Sequence, residues 1–132
     1  MCLALVESAG RAWEVHWSTA GHLPPALVIP GEEARYLYGD PGLPLGVDTS
    51  HPRQDHRCSL PPKASLVFFT DGLVEHPDRP LDDGLAALAR ILTAHADLPP
   101  KRLCQVLADN QLGDGHDDIA LLVLRTPPGP GP

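Results

Sequence analysis

Basic residues are scarce. In 132 residues, 10 Lys and Arg stand against 17 Asp and Glu, for a formal net charge of -7. So acidic a chain lacks the positive surface that a phosphate backbone demands, so nucleic acid is not an expected partner. There is no basic amphipathic segment to meet an anionic membrane, and no apolar run long enough to span a bilayer. The opening, Met1 to Glu7, has neither the basic start nor the cleavage site of a signal peptide, so the expected compartment is the cytoplasm. The three cysteines, Cys2, Cys58 and Cys104, are widely spaced and include no Cys-x-x-Cys pair. That argues against a disulfide framework and a zinc knuckle, and leaves them as small buried hydrophobes in a reducing compartment. Also missing are a glycine-rich phosphate loop and a nucleophile elbow.

What remains reads as one domain, residues 1–126, large enough for a real core. The 16 prolines and 12 glycines fall mostly between periodic segments, where they mark turns. Pro127 to Pro132 is the exception, a Pro/Gly tail with nothing to bury and expected to be disordered. Cys2–Val6 is a short apolar strand, with a turn over residues 7–11. Trp13, Val15 and Trp17 then alternate with Glu14, His16 and Ser18, the period of a half-buried strand, so the pair predicts a hairpin. Strands are expected over 26–29 and 34–38, then a long loop over 39–57 and a short strand over 57–60. Ser65–Thr70 is apolar enough to be buried on both faces.

The helices come late. Leu85, Leu88, Ala89 and Leu92 recur at helical spacing, with Asp82 and Asp83 where the helix dipole favours anions. A second, shorter helix follows Pro99-Pro100, with Leu103, Val106 and Leu107 on one face. A loop over 111–116 leads to a closing strand over 119–124. Strands grouped before helices predict an α+β architecture with a largely antiparallel sheet.

Two acidic positions stand at the ends of buried strands. Asp71 ends Ser65–Thr70 and is followed by Gly72, which permits a sharp turn. Asp117, with Asp118, precedes Ile119–Leu124. Rigidly held carboxylates at sheet margins suit a hard cation such as Mg²⁺ or Mn²⁺. Taken alone, each is more readily an ordinary turn aspartate. His51 and His56 fit no zinc spacing, and His95 is expected to be solvated. His22, in a tight strand interruption, suits packing or hydrogen bonding better than ligation.

In combination these segments resemble a known family. Ala20-Gly21-His22-Leu23-Pro24-Pro25 resembles the Ala-Gly-His-x-Pro-Pro segment of the metal-dependent (PPM-type) protein phosphatases. The closer likeness is to their bacterial branch, typified by the sporulation stage II protein E phosphatase. Leu43-Pro44-Leu45-Gly46, Thr70-Asp71-Gly72-Leu73-Val74-Glu75 and Asp117-Asp118 match further motifs of that branch, in family order. The resemblance implies a β-sandwich flanked by helices, with a binuclear Mn²⁺ or Mg²⁺ centre between the sheets. It implies hydrolysis of phosphoserine or phosphothreonine on a protein, typically an anti-anti-sigma factor. Asp71, Gly72 and Asp117 would make the metal site, Gly72 giving the turn beside the ion. Asp118 would orient the attacking water. Glu75 and His22 would serve substrate or regulation.

The family also carries an earlier Gly-Asp-Val-x-Gly-His-Gly segment whose aspartate bridges both metals, and nothing in residues 1–132 matches it. Thr19 stands where the branch usually has asparagine. The chain thus reads as the C-terminal part of a phosphatase domain, expected to be weakly active or inactive alone and to self-associate through open sheet edges. A different class of reading is a non-catalytic phosphatase-like binding or regulatory module.

Overall fold

Alternation carries the first hairpin further than the composition of its first strand indicates. In a computed structural model that describes residues 1–110 and 112–129, β1 spans Cys2–Ala9 and β2 spans Ala12–Thr19. The expected turn over 7–11 shrinks to Gly10-Arg11, because Ala9 pairs directly with Ala12. Gly10 stands at φ +69°, the conformation that a glycine-first two-residue hairpin turn needs. Glu7 and Ser8 therefore belong to the strand, paired with Glu14 and Trp13.

Among the described residues the chain forms two antiparallel sheets and two α-helices. The first sheet has the order β1-β2-β5, with β5 at His56–Leu60. The second has the order β4-β3-β6-β7, from Arg35–Tyr36, Ala26–Val28, Ser65–Phe69 and Leu121–Arg125. Helix α1 spans Leu81–Ala94 and α2 spans Pro100–Asn110. The α+β sandwich is as expected, but both helices cover the same sheet. The layers run sheet, sheet, helices.

The buried centre is β6. Its side chains alternate between two cores, as a strand covered on both faces requires. Leu66 packs with Val15, Trp17, Leu27 and Leu60 between the sheets. Val67 and Phe69 pack with Leu88, Leu92, Leu103 and Leu107 under the helices. Each of those four leucines is at most 1 % exposed, and burying one contributes about 1.5–3 kcal/mol. Asp82 and Asp83 lie in the first turn of α1, where the dipole favours them. Pro100 opens α2, where its missing N–H costs nothing.

Other boundaries shift. The closing strand starts at Leu121 rather than Ile119, leaving Ile119 and Ala120 in the loop. The long loop covers 37–55, because β4 stops at Tyr36 and β5 starts at His56. It is pinned to the first sheet. The Gly21 amide, just past β2, donates to Pro41 O (2.9 Å), and the Thr19 hydroxyl to Asp40 O (3.3 Å). The three cysteines are half-buried and free. His95 caps α1 and is half-buried, its Nδ1 paired with Ile91 O at 2.9 Å, rather than solvated. Residues 130–132 of the expected tail, and Gln111 of the expected loop, lie outside the described residues. Pro127 O accepts the Lys63 amide (3.3 Å).

Tyr36 ties β4 to α1. Its hydroxyl donates to Leu85 O (2.6 Å) and its ring meets Phe69 edge-on at 6.2 Å. Burial, with a smaller push from Tyr38, lifts the phenol well above its ordinary value. A raised folded value means that the native state holds its proton longer than the unfolded chain. The contribution is therefore complete below about pH 10 and falls as pH rises beyond it. Tyr36→Phe is expected to cost about 1 kcal/mol at pH 7 and to flatten this alkaline decline in urea unfolding. An unchanged alkaline slope would contradict the assignment.

Candidate metal centre

The register of two strands sets this site. β6 and β7 are antiparallel, with Phe69 opposite Leu121. The pairing continues one residue past both strands. Thr70 N donates to Ala120 O (3.2 Å), and Ala120 N donates to Thr70 Oγ1 (2.9 Å). Thr70 Oγ1 also donates to Asp118 O (3.3 Å). Asp71 thus leaves the sheet opposite the segment that carries Asp117 and Asp118. Both carboxylates come from adjacent strands of one sheet, at the same end.

Asp71–Leu73 then forms a single 3-10 turn, closed by the Val74 and Glu75 amides on Asp71 O (3.0 and 2.9 Å). Gly72 is buried in this turn, against the opposite loop. A methyl group there would lie 2.5 Å from Asp118 O and 3.2 Å from Asp117 Cβ. The glycine is needed for space rather than for an unusual φ. On the other side, Asp117 Oδ1 accepts the Asp118 amide (2.9 Å) and Asp114 Oδ1 accepts the His116 amide (3.0 Å). Asp71, Glu75, Asp114, Asp117 and Asp118 are all exposed.

A cavity of about 440 Å³ opens beside this junction, lined by Gly72, Glu75, Arg79, Asp114, His116 and Asp117, among others. The structure therefore brings Gly72, Asp117 and Glu75 to one cavity, with Asp71 and Asp118 adjoining them in the chain. It does not bring His22 there. His22 Nδ1 pairs with Leu23 O (2.7 Å), and the side chain lines a separate cleft of about 450 Å³ with Thr70, Ala120 and Leu122. Sequence reasoning missed Thr70 as the residue that joins the two segments, and Arg79 as their neighbour. The Thr-Asp-Gly motif named Thr70 but gave no sign of its partner fifty positions away.

Residues 1–127 match the family described as Stage II sporulation protein E (SpoIIE). The chain belongs to this family. That family is one of PPM-type, metal-dependent phosphatases. Among solved structures, the chain is similar to the RsbU and RsbW domains of Rv1364c from Mycobacterium tuberculosis. The identity is 32 % and the TM-score 0.76, over 98 % of this chain and 36 % of that one. It is also similar to the phosphatase domain of the cell fate determinant SpoIIE from Bacillus subtilis. The Mn-presoaked form gives 15 % identity and a TM-score of 0.71, over 96 % of this chain and 56 % of that one. A second structure of that domain gives 13 % and 0.65, over 96 % and 58 %. The chain thus spans about a third of the first of these chains and just over half of the others.

The donor chemistry of this junction fits a hard cation only in part. Asp71 and Asp117 offer carboxylate oxygens, and a Mg²⁺-type ion commonly takes one or two carboxylates and keeps several waters. Yet among the described residues no group of three or more His, Cys, Asp or Glu converges closely enough to hold a metal. Two carboxylates alone make a weak site. Gly72→Ala is expected to cost about 1–3 kcal/mol, since its new methyl would press on backbone rather than on a flexible side chain. Faster amide exchange at Asp117 and Asp118, with exchange in β1 and β2 unchanged, is the accompanying sign.

Proposed function

We propose that this chain is the carboxylate-bearing part of a metal-dependent phosphatase domain that hydrolyses phosphoserine or phosphothreonine on a protein. The observation that carries the reading is the continued β6–β7 pairing through Thr70 and Ala120, which delivers Asp71 and Asp117 to one sheet end. Asp71 and Asp117 would hold Mn²⁺ or Mg²⁺, with Gly72 allowing the close approach of the two segments. When bound, such ions supply positive charge to the phosphate oxygens and acidify water. Asp118 is exposed beside Asp117, where its carboxylate would accept a proton from, and orient, the attacking water. Glu75, on the shared cavity, would face the substrate or a regulator. A phosphorylated anti-anti-sigma-type protein is the proposed substrate, in keeping with the family and with the RsbU likeness.

The reading includes weak metal binding. Two exposed carboxylates repel each other and supply few oxygens, so residues 1–132 alone should bind Mn²⁺ in the millimolar range and turn over phosphoprotein slowly or not at all. Asp71→Asn and Asp117→Asn should each abolish that binding in a calorimetric or NMR titration. Tight two-site Mn²⁺ binding with ordinary turnover by residues 1–132 would overturn the claim of weakness. A titration indifferent to both substitutions would overturn the assignment of the ligands. Phosphoprotein binding without metal, unaffected by either substitution, would favour the alternative of a non-catalytic regulatory module.

The sheet edges support a second expectation, self-association. β1 and β7 are edge strands, and Leu3, Leu122 and Leu124 on them, which line the second cleft, are 40–67 % exposed. Unpaired strand edges with apolar side chains favour pairing with another chain. Sedimentation velocity should show association that rises with concentration and weakens in Leu122→Lys. A monomer throughout the micromolar to near-millimolar range would contradict it.

A further inference from the structure

The Asp71 turn and the Asp117 loop are held together by a clasp built outside the four motifs. Arg79 lies between them. Its Nη2 donates to Val74 O (3.4 Å), at the end of the Asp71 turn, and to Leu112 O, at the start of the Asp117 loop. The side chain is half-buried, and its Nε is enclosed without a hydrogen-bond partner among the described residues. The guanidinium is thus aimed at two carbonyls in segments more than thirty residues apart, and no acidic side chain forms an ion pair with it among the described residues.

The backbone around Arg79 is shaped to aim it. His76 and Arg79 form an isolated antiparallel bridge, and the Arg79 amide donates to His76 O (3.3 Å). The Asp78 amide donates to His76 Nδ1 (3.1 Å). This tight turn sends Arg79 back toward Val74. Close to it, Gly113 packs directly on the Asp71 turn. A methyl group on Gly113 would overlap Gly72 O and lie 3.3 Å from Glu75 O. Gly84, in the first turn of α1, meets Val74 O so closely that a methyl group would overlap that atom as well. The Asp71 turn is therefore gripped at Gly72 by the Asp117 loop, and at Val74 by α1 and Arg79.

We infer that Arg79, with Gly113, is a positioning element that fixes the separation of the Asp71 and Asp117 carboxylates. A guanidinium suits the task because it is always charged and its donors are rigidly arrayed. A lysine ammonium is a compact charge on a flexible stem and would hold the two carbonyls less rigidly. The metal consequence of this inference rests on the proposed assignment of Asp71 and Asp117 as ligands. The mechanical consequence does not.

The experiment uses the whole chain, with amide hydrogen exchange and Mn²⁺-induced NMR line broadening as its readouts. Arg79→Ala should speed exchange in residues 71–75 and 112–118 by about tenfold, the factor that the loss of one charge-assisted hydrogen bond represents. Exchange in β1 and β2 should not change. The same variant should need several-fold more Mn²⁺ to broaden the Asp71 and Asp117 signals, and Arg79→Lys should fall between it and the parent. Gly113→Ala should act like Arg79→Ala in both readouts. Unchanged exchange, or a rise spread evenly over the chain, would overturn the clasp. Should Arg79→Ala fail to fold, the Arg79→Lys comparison decides on the same criteria. If Asp71→Asn and Asp117→Asn broaden like the parent chain, the metal assignment fails while exchange still decides the clasp.

Discussion

The antiparallel pairing of β6 with β7 is the constraint on which the remainder depends. β6 is covered on both faces, so its side chains can neither slip by one residue nor exchange faces without placing Leu66 and Val67 in the wrong cores. That burial holds the register Phe69↔Leu121. The register in turn decides which loop residues meet at the strand ends. Thr70 extends the pairing with both its backbone and its hydroxyl, so the chain leaves the sheet with Asp71 facing the Asp117 loop.

Around that pairing the protein solves two packing problems with one sheet. The second sheet carries α1 and α2 on one face and the first sheet on the other. Cross-links between layers are few but well placed. Tyr36 and Ala34 reach α1, through Leu85 O and Thr93 Oγ1, and Arg125 joins Ser65 Oγ in β6 to Ala96 O beyond α1. Among the described residues, nothing covers the side of the sandwich between β1 and β7 in this way, and leucines from both strands stand exposed there. A family domain of which this chain spans just over half has further polypeptide to place.

The four motifs sort into two spatial pairs. Thr19 to Gly21 lies against Asp40 to Pro44, where a methyl group on Gly21 would sit 2.9 Å from Pro44 Cγ. Thr70 to Glu75 lies against Leu112 to Ala120. Only the second pair brings carboxylates together. The first holds the long loop and places His22 on the other cleft, which accounts for the separation of His22 from Glu75. Both pairs rely on glycine where two backbones approach more closely than a side chain would permit.

Much of this was legible in the residues. The alternation of Trp13, Val15 and Trp17, the apolar run Ser65–Phe69 and the helical spacing of Leu85, Leu88 and Leu92 each report a period that local geometry imposes. The acidic end of β6 was legible too, because its apolar run stops at Thr70, where the strand leaves the core. Strand limits were less so. Glu7 and Ser8 are polar yet paired, because an edge hairpin needs backbone partners rather than apolar side chains, and Ile119 is apolar yet lies outside β7. The sequence by itself determined the periods of the main strands and helices and where carboxylates could stand, but not that Leu122 and Leu124 of the closing strand, read as buried, would stand exposed on a sheet edge. Only the tertiary structure decided that Thr70 would meet Ala120, that Gly113 would press on Gly72 and that Arg79 would bridge Val74 and Leu112. Those contacts join segments some thirty to fifty positions apart, and their geometry follows from sheet register and backbone proximity, which no local period encodes.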